Sequence, residues 1–439
     1  MVWLKHRNAA LVLSACAAFS TYFCMYAFRK PFSAGTFEDQ ELWGFGLKSL
    51  LVTSQLLGYV LSKFIGIKVI SEMPSKYRAI SILGLIGFAE LALVGFATLP
   101  TPAKVVCLFL NGLPLGMVFG LVLGYLEGRK NTEALAAVLC ASFIMSSGVV
   151  KSIGRTLIEN YGVSDFAMPM IVGGLFTIPL LISVWLLQYT PPPDEQDREL
   201  RSERTEMNGK QRWTFFRAYW PGLTLLLLIY VVLTTVRTLR DDFSVELWSE
   251  FNEGGQPEVY AISETSVAVV VTLISGLMIW IRGNLQAIQL CLATMAAAFA
   301  LTIFAAFAQP RGIVSPMTFM ILCGIGLYIP YVAFHTTIFE RLIALSRRVG
   351  NLGFLMYLAD AIGYLGYSAA LLLAPALTES GQVLPAFRDI LVLCSIGASV
   401  MIVFLVFYFQ ATFAGQQVVT SQVKEADHPM LPGESGQAS

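Results

Sequence analysis

Residues 112–129 read GLPLGMVFGLVLGYLEGR, and residues 324–341 read GIGLYIPYVAFHTTIFER. Both stretches are long, apolar and rich in small residues, and both end in a glutamate and an arginine. They also stand at corresponding places in the two halves of the chain. Weak similarity of this kind, with charges at corresponding helix ends, is typical of a duplicated unit. The two stretches therefore predict a chain made of two similar halves.

The chain as a whole is apolar, since hydrophobic residues make up 56% of its 439 residues and charged residues only 13%. A soluble chain of this length needs more charge than this to cover its surface. A helix that crosses a hydrocarbon core of about 30 Å needs about 20 largely apolar residues. Twelve such runs lie near 8–30, 45–67, 79–99, 104–126, 134–157, 166–189, 220–240, 262–281, 284–308, 315–337, 350–374 and 387–410. The sequence therefore predicts an all-α membrane protein with twelve transmembrane helices.

The twelve runs fall into two groups of six, separated by a polar stretch with many charges. Proline and charges of both signs in that stretch are typical of a solvated connecting segment. We predict an N-terminal six-helix bundle at 1–190, a cytoplasmic linker at 191–217, a C-terminal six-helix bundle at 218–410 and a disordered cytoplasmic tail at 411–439. Two pseudo-symmetric six-helix bundles are the arrangement of parallel repeats in major facilitator transporters.

Charge in the loops orients the chain. If the N-terminus lies inside, the loops on that side carry clustered bases, such as Arg129 with Lys130 and Arg347 with Arg348. The opposite loops hold single bases, and the loop that follows Arg240 is acidic. The positive-inside rule therefore predicts a multi-pass protein of the cytoplasmic (inner) membrane with both termini in the cytoplasm.

The sequence contains no motif that indicates catalysis or a cofactor. Phosphate loops, HExxH and GxSxG are absent, and the seven cysteines lie singly in apolar runs, without the spacing of a metal site. We therefore expect no enzyme activity, no cofactor, no metal and no nucleic-acid partner, and we expect gradients rather than ATP to supply energy.

Ionisable residues inside the predicted spans are the main functional signal, because a lipid-facing charge there costs about 3 kcal/mol or more. They are Arg29, Lys30, Lys63, Glu90, Lys151, Arg155, Arg237, Arg240, His335 and Asp360. Bases outnumber acids in this set, and a pathway lined by several bases attracts anions and repels cations. A guanidinium also donates two parallel hydrogen bonds to a phosphate or a carboxylate. The composition of this set predicts a small anionic substrate.

Other interpretations remain open for individual residues. Arg29 and Lys63 lie near opposite ends of their runs, where a long side chain can reach the membrane interface. Asp360 and Glu90 are well inside their runs, where either could pair with a base, take up a proton or hold two helices together. His335 could be a hydrogen-bonded packing residue or a titrating element of the site.

Short motifs along the chain resemble those of one known family. RKPF at 29–32 resembles the RKNF-type end of the first span in the organophosphate:phosphate antiporters, which include bacterial glycerol-3-phosphate and hexose-phosphate transporters. SKFI at 62–65 resembles that family's second span, and GYLG at 363–366 resembles its eleventh. Tyr328 and Pro330 are placed like the family's Y-G-P in the tenth span. The matches occur in the family's order over most of the chain.

The seventh span adds a further match and the implied roles. Arg237 followed by Asp-Phe-Ser at 242–244 resembles the family's R-x-x-x-x-D-W-S. The resemblance implies that Arg29 and Arg237 form a symmetric pair that holds an anion, one from each half. It implies that Lys63 is an auxiliary cation, and Lys30 follows Arg29 as it does in the family, without an assigned direct contact. Pro31, where the family has asparagine, is one of several departures that leave the substrate and the antiport mechanism open.

We therefore predict a secondary active transporter that moves a small organic anion, such as a phosphate ester, by alternating access. The predicted substrate-binding residues are Arg29, Arg237, Lys63, Lys30, Lys151 and His335. Coupling would be antiport against another anion, or proton symport through Asp360, Glu90 or His335. The alternative is a non-transporting membrane sensor or scaffold on the same fold. Membrane lipid is the other expected partner.

Overall fold

The computed structural model describes residues 7–38, 40–126, 132–191, 209–278, 281, 283–346, 352–373 and 383–426. These residues are almost entirely helical. The helices of the first half are α1 (Arg7–Tyr26), α2 (Leu47–Glu72), α3 (Arg78–Thr98), α4 (Thr101–Leu123), α5 (Thr132–Tyr161) and α6 (Met168–Leu187). Those of the second half are α7 (Gly209–Asp242), α8 (Ser244–Ser249), α9 (Glu258–Met278), α10 (Asn284–Ala308), α11 (Pro316–Ala333), α12 (Phe339–Ser346), α13 (Leu352–Leu373) and α14 (Val383–Ala426).

Short non-α elements occupy some of the connections. A 3₁₀ turn (Pro31–Ala34) follows α1, and the two-residue strands β1 (Glu41–Leu42) and β2 (Phe45–Gly46) form an antiparallel hairpin before α2. Trp43 and Gly44 both have positive φ at the tip of this hairpin, as a two-residue hairpin turn that follows the strand twist requires. A π-helical turn (Phe334–Ile338) joins α11 to α12 without interrupting the helix.

Within the described residues, eleven helices are long and apolar enough to cross a membrane, and Leu11–Tyr26 of α1 is a shorter apolar helix. α11, the π-helical turn and α12 together form one of the eleven, Pro316–Ser346. The all-α membrane fold is therefore confirmed, these helices are roughly consistent with the twelve predicted spans, and the chain is a multi-pass integral membrane protein.

Each half packs mainly on itself, and two helix pairs join the halves. In the first half α2 packs on α4, α3 on α4, and α1 on α5 and α6. In the second half α7 packs on α13 and α14, and α10 on α11 and α14. Across the halves, α5 packs on α9 and α2 on α13. Gly148 permits the first of these contacts, because a Cβ there would lie 2.3 Å from the backbone oxygen of Tyr260.

Two helices continue beyond the predicted bundle boundaries. α7 begins at Gly209, inside the stretch predicted as a linker, and leaves helical geometry at Tyr219 because Pro221 follows two residues later. α14 continues to Ala426, inside the stretch predicted as a disordered tail, and its Phe413 stacks on Tyr219 with ring centroids 5.7 Å apart. The other parts of the predicted linker and tail, 192–208 and 427–439, lie outside the described residues.

Candidate functional site

Buried charged and aromatic side chains lie in three layers where the two halves face each other. We name them the Asp241 layer, the arginine layer and the Asp360 layer, and each is defined by its residues below. α2 contributes Lys48 to the first, Tyr59 to the second and Lys63 to the third. At 1.5 Å rise per residue, Tyr59 lies about 17 Å along α2 from Lys48, and Lys63 lies about 6 Å further. The layers therefore follow one another along the long axis of the helices.

The first-half member of the arginine layer is Arg29, which lies in the turn after the end of α1. Its side chain is buried, with the residue only 3% exposed. The guanidinium carbon lies 4.0 Å from the centroid of the Tyr59 ring and 5.7 Å from that of Tyr26. The Nε atom has no hydrogen-bond partner among the described residues. Contacts with π faces thus take the place of an ion pair.

The second-half member is Arg237, on α7, and it is also buried. Its guanidinium carbon lies 4.2 Å from the Tyr331 ring centroid and 5.5 Å from that of Tyr328. One terminal nitrogen donates to Thr238 Oγ1 at 3.2 Å, and Nε has no partner in the described part of the chain. Among the described residues, no carboxylate forms an ion pair with Arg237 or with Arg29.

Aromatic rings from both halves lie around the two arginines. The Arg29 guanidinium carbon lies 5.8 Å from the ring centroid of Tyr364, a residue of the second half. Tyr59 and Tyr364 meet edge to face across the two halves, with ring centroids 5.3 Å apart. Phe143 of α5 meets Tyr331 in the same way at 5.7 Å. The arginine layer is therefore two guanidiniums surrounded by aromatic rings from both halves.

The Asp241 layer is a set of ion pairs between the halves. Lys30 lies 2.5 Å from Asp241 Oδ2 and 2.5 Å from Asp242 Oδ1. Lys151 lies 2.5 Å from Asp241 Oδ1, which also accepts a hydrogen bond from Ser147. The layer is completed by Lys48 with Glu246 of α8, a pair at 2.5 Å. Lys30 and Lys151, two of the predicted substrate-binding residues, thus carry carboxylate partners from the second half.

The Asp360 layer joins α2 to α13 on the other side of the arginine layer from the Asp241 layer. Lys63 Nζ lies 2.9 Å from Asp360 Oδ2, and the Tyr230 hydroxyl donates to Asp360 Oδ1. His335 Nε2 lies 3.6 Å from that same oxygen, and its Nδ1 lies 2.9 Å from the Tyr331 carbonyl oxygen. His335 belongs to the π-helical turn, a deformation that occurs frequently at functional sites. Lys63, His335 and Asp360, all predicted from the sequence, therefore form one cluster.

Glu90, a predicted coupling residue, lies within the first half, against α6. It is half-buried on α3, where its Oε2 lies 2.2 Å from the position a Cβ would take at Gly173 of α6. That oxygen has no hydrogen-bond partner among the described residues.

Two other arginines of the predicted spans pair with acids. Arg155 pairs with Glu159 one turn away, and Arg240 lies 2.8 Å from Glu264.

The fold is that of the major facilitator transporters. The chain superimposes on the crystal structure of the nucleoside transporter NupG with a TM-score of 0.58 and 15% identity, over 92% of this chain and 99% of that one. A point mutant of NupG gives a TM-score of 0.57 and 14% identity, over 92% of this chain and 100% of that one. At this identity the likeness concerns the fold alone.

The chain itself belongs to DUF5690, a family of unknown function, whose model matches residues 31–412. No curated protein matches it. Neither result bears on the organophosphate:phosphate antiporters, so the resemblance to that family stays a prediction.

Proposed function

We propose that this protein is a secondary active transporter of a small organic anion, which Arg29 and Arg237 bind between the two halves. One observation carries the proposal. Among the described bases of the three layers, Lys30, Lys48, Lys63 and Lys151 each have a carboxylate within ion-pair distance, and the two arginines have none. Buried charge without a partner is costly, because desolvation is not offset by an opposite charge. A bound anion would supply that charge.

The charge balance of the layers narrows the class of substrate. In the Asp241 layer Lys30 and Lys151 balance Asp241 and Asp242, and Lys48 balances Glu246. The Lys63–Asp360 pair balances the third layer. Two positive charges are then left in the arginine layer. They match a dianion, such as a dicarboxylate or a phosphate monoester, whose second pKa is about 6.

Alternating access follows from the placement of the ion pairs. The Asp241 layer and the Asp360 layer each link the first half to the second, on opposite sides of the arginines. If the halves rock about the arginine layer, one set of inter-half pairs breaks while the other stays closed. With both termini in the cytoplasm, as the loop charges indicate, the Asp241 layer closes the outer face and the Asp360 layer closes the cytoplasmic face.

Transport of the anion can be coupled either to proton movement or to the movement of a second anion. Proton symport would use Asp360 with His335, which lie together beside the site, while Glu90 is separated from it on α3. Exchange for a second anion would use the arginines alone. Uptake into proteoliposomes distinguishes symport from exchange, because symport responds to an imposed pH gradient and exchange requires an anion trapped inside. Antiport against phosphate is one form of this exchange.

The structural neighbour NupG is a nucleoside transporter, so a nucleoside can be compared with the anions proposed as substrates of this chain. A nucleoside is uncharged at neutral pH and would leave both guanidiniums without a counter-charge.

The experiment that tests the proposal is thermal unfolding of the purified full chain at pH 7.5 with inorganic phosphate, glucose 6-phosphate, succinate and AMP. Adenosine, glucose and choline serve as controls. Binding at 100 times Kd adds about 2.7 kcal/mol to the stability of the folded state. We expect dianions to raise Tm. Stabilisation by adenosine, glucose or choline without stabilisation by any anion would refute the proposal.

A further inference from the structure

A pair of buried amide side chains holds the backbone that carries Arg29. α1 ends at Tyr26, so the carbonyl groups that follow have no partner within a continuing helix. Gln55 of α2 donates from Nε2 to the Arg29 carbonyl oxygen at 2.9 Å. Asn111 of α4 donates from Nδ2 to the Phe28 carbonyl oxygen at 2.9 Å. The two amides thus bond the peptide groups on both sides of the Arg29 Cα.

The two amides are also bonded to each other and to a third helix. Gln55 Nε2 donates a second hydrogen bond to Asn111 Oδ1 at 2.8 Å, and Asn111 Nδ2 donates a second to the Ala89 carbonyl oxygen of α3 at 3.1 Å. Each amide nitrogen therefore uses both of its N–H groups. Asn111 is fully buried and Gln55 is 3% exposed. A buried network with its donors satisfied is rigid, because any displacement leaves polar groups unpaired.

The helices that carry the two amides are in direct backbone contact. A Cβ at Gly112, the residue after Asn111, would lie 2.0 Å from the Gln55 carbonyl oxygen. Only glycine allows that approach, so α2 and α4 cannot move apart or slide at this level without losing the contact. The Gln55 donor is therefore fixed relative to α4 as well as to Arg29.

The backbone of Arg237, in the second half, is held differently from that of Arg29. Arg237 lies within the continuous part of α7, where helical hydrogen bonds fix its backbone. Arg29 lies in the turn after α1, where its N–H still donates to the Tyr26 carbonyl oxygen at 3.0 Å. The Phe28 and Arg29 carbonyl oxygens, however, accept hydrogen bonds from the Asn111 and Gln55 side chains. We propose that Gln55 and Asn111 are positioning residues, which hold Arg29 so that its guanidinium stays in the arginine layer opposite Arg237. This inference rests on the proposed function, since it assigns a role to Arg29 at that site.

The test replaces Gln55 with methionine, which has nearly the same shape and no donors. Inorganic phosphate and succinate serve as probes, titrated against the thermal midpoint of the full chain. Loss of the bond to the Arg29 carbonyl should weaken both probes roughly tenfold. Ser54→Ala is the matched control, because Ser54 donates to the Val105 carbonyl oxygen at 2.6 Å and so joins the same two helices by a hydrogen bond that does not involve the Arg29 backbone. We expect the control to bind both probes as the wild type does.

A second measurement does not depend on either probe. Amide hydrogen exchange over residues 27–30 should be faster in Gln55→Met and unchanged in Ser54→Ala. If Gln55→Met does not fold, Gln55→Asn, which withdraws the donor by one methylene group, replaces it in both measurements. Wild-type exchange together with wild-type affinity in the Gln55 variant would overturn the inference.

The Arg29→Lys background shows whether the amides act through Arg29. The tenfold effect of Gln55→Met should shrink to about twofold there, because the two residues act as one unit. An undiminished effect would mean that the amides act elsewhere, which overturns the inference. Failure of the proposed function has a different pattern, in which Arg29→Gln and Arg237→Gln both bind the probes as the wild type does.

Discussion

Arg29 and Arg237 come from opposite halves of the chain, and each guanidinium lies on a tyrosine ring, with no carboxylate of the described residues at ion-pair distance. The rings are Tyr59 at 4.0 Å and Tyr331 at 4.2 Å. A cation–π contact of this kind is worth about 2 kcal/mol or more when it is desolvated. The planar donor edge of a guanidinium on a ring face is still open to an anion. The tyrosines can therefore hold the arginines in place without competing for the anion.

Removal of either guanidinium should abolish transport and leave the fold intact. In Arg29→Gln and Arg237→Gln we expect the thermal stabilisation by phosphate and succinate to disappear. The apo protein should unfold at the wild-type temperature or above it, since an unpaired buried charge has been removed. Thermal unfolding and uptake into proteoliposomes measure the two effects.

Arg155→Gln is the control for charge removal in general, because Arg155 is buried and its acid partner, Glu159, lies on its own helix. It should keep the response to both probes. Uptake by Arg237→Gln at the wild-type rate would contradict the role assigned to that residue.

The helices could be read from the sequence because each span is a continuous apolar run, and a span needs no long-range information to be recognised. The partners of the buried charges could not be read in this way. Lys30 and Asp242 are 212 positions apart, and Lys151 and Asp241 are 90 positions apart. No local period connects such residues. Asp241 also follows the end of an apolar run, which made it look like a loop residue, whereas it is 4% exposed.

Glu90 is a second example of a contact that the sequence does not reveal. Its position deep in an apolar run indicated a role in the pathway, but hydropathy does not say which neighbour a helix face meets. In the structure that face meets Gly173 of α6. The Gln55–Asn111 network has no sequence signal at all, because single amides in apolar runs are common.

The Asp241 layer should be more sensitive to Asp241 than to Asp242. Asp241→Asn leaves Lys151 without a carboxylate, whereas Asp242→Asn leaves both Lys30 and Lys151 in contact with Asp241. Breaking a buried pair by removing one partner costs about 3–5 kcal/mol. We expect Asp241→Asn to lower the thermal midpoint clearly more than Asp242→Asn. Adding Lys151→Gln to Asp241→Asn should recover part of the loss, and equal losses in the two single variants would contradict this assignment.

The orientation of the chain can be tested with reporter fusions. Green fluorescent protein at the C-terminus should fluoresce, and alkaline phosphatase there should be inactive, because the loop charges place that end in the cytoplasm. The same reporters inserted after Asn252, in the segment between α8 and α9, should give the opposite result. Active phosphatase at the C-terminus would show the opposite orientation. The Asp241 layer would then close the cytoplasmic face and the Asp360 layer the outer face.

The Lys63–Asp360 pair offers the sharpest test of a gate, because it joins α2 to α13 as one cation with one carboxylate. In Lys63→Gln the Asp360 carboxylate keeps the Tyr230 hydroxyl and His335 beside it. In Asp360→Asn the Lys63 ammonium loses its carboxylate and keeps the ring faces of Tyr59, Phe119 and Tyr357. Each single variant therefore leaves an uncompensated buried charge and should lose about 3–5 kcal/mol. The double variant buries two neutral groups and should lose clearly less than the sum. Thermal unfolding of the four proteins gives the coupling energy, and additive losses would show that the two side chains do not act as a pair. If the pair closes one face, the double variant should also transport, with the balance between its two conformations shifted toward the state in which that face is open.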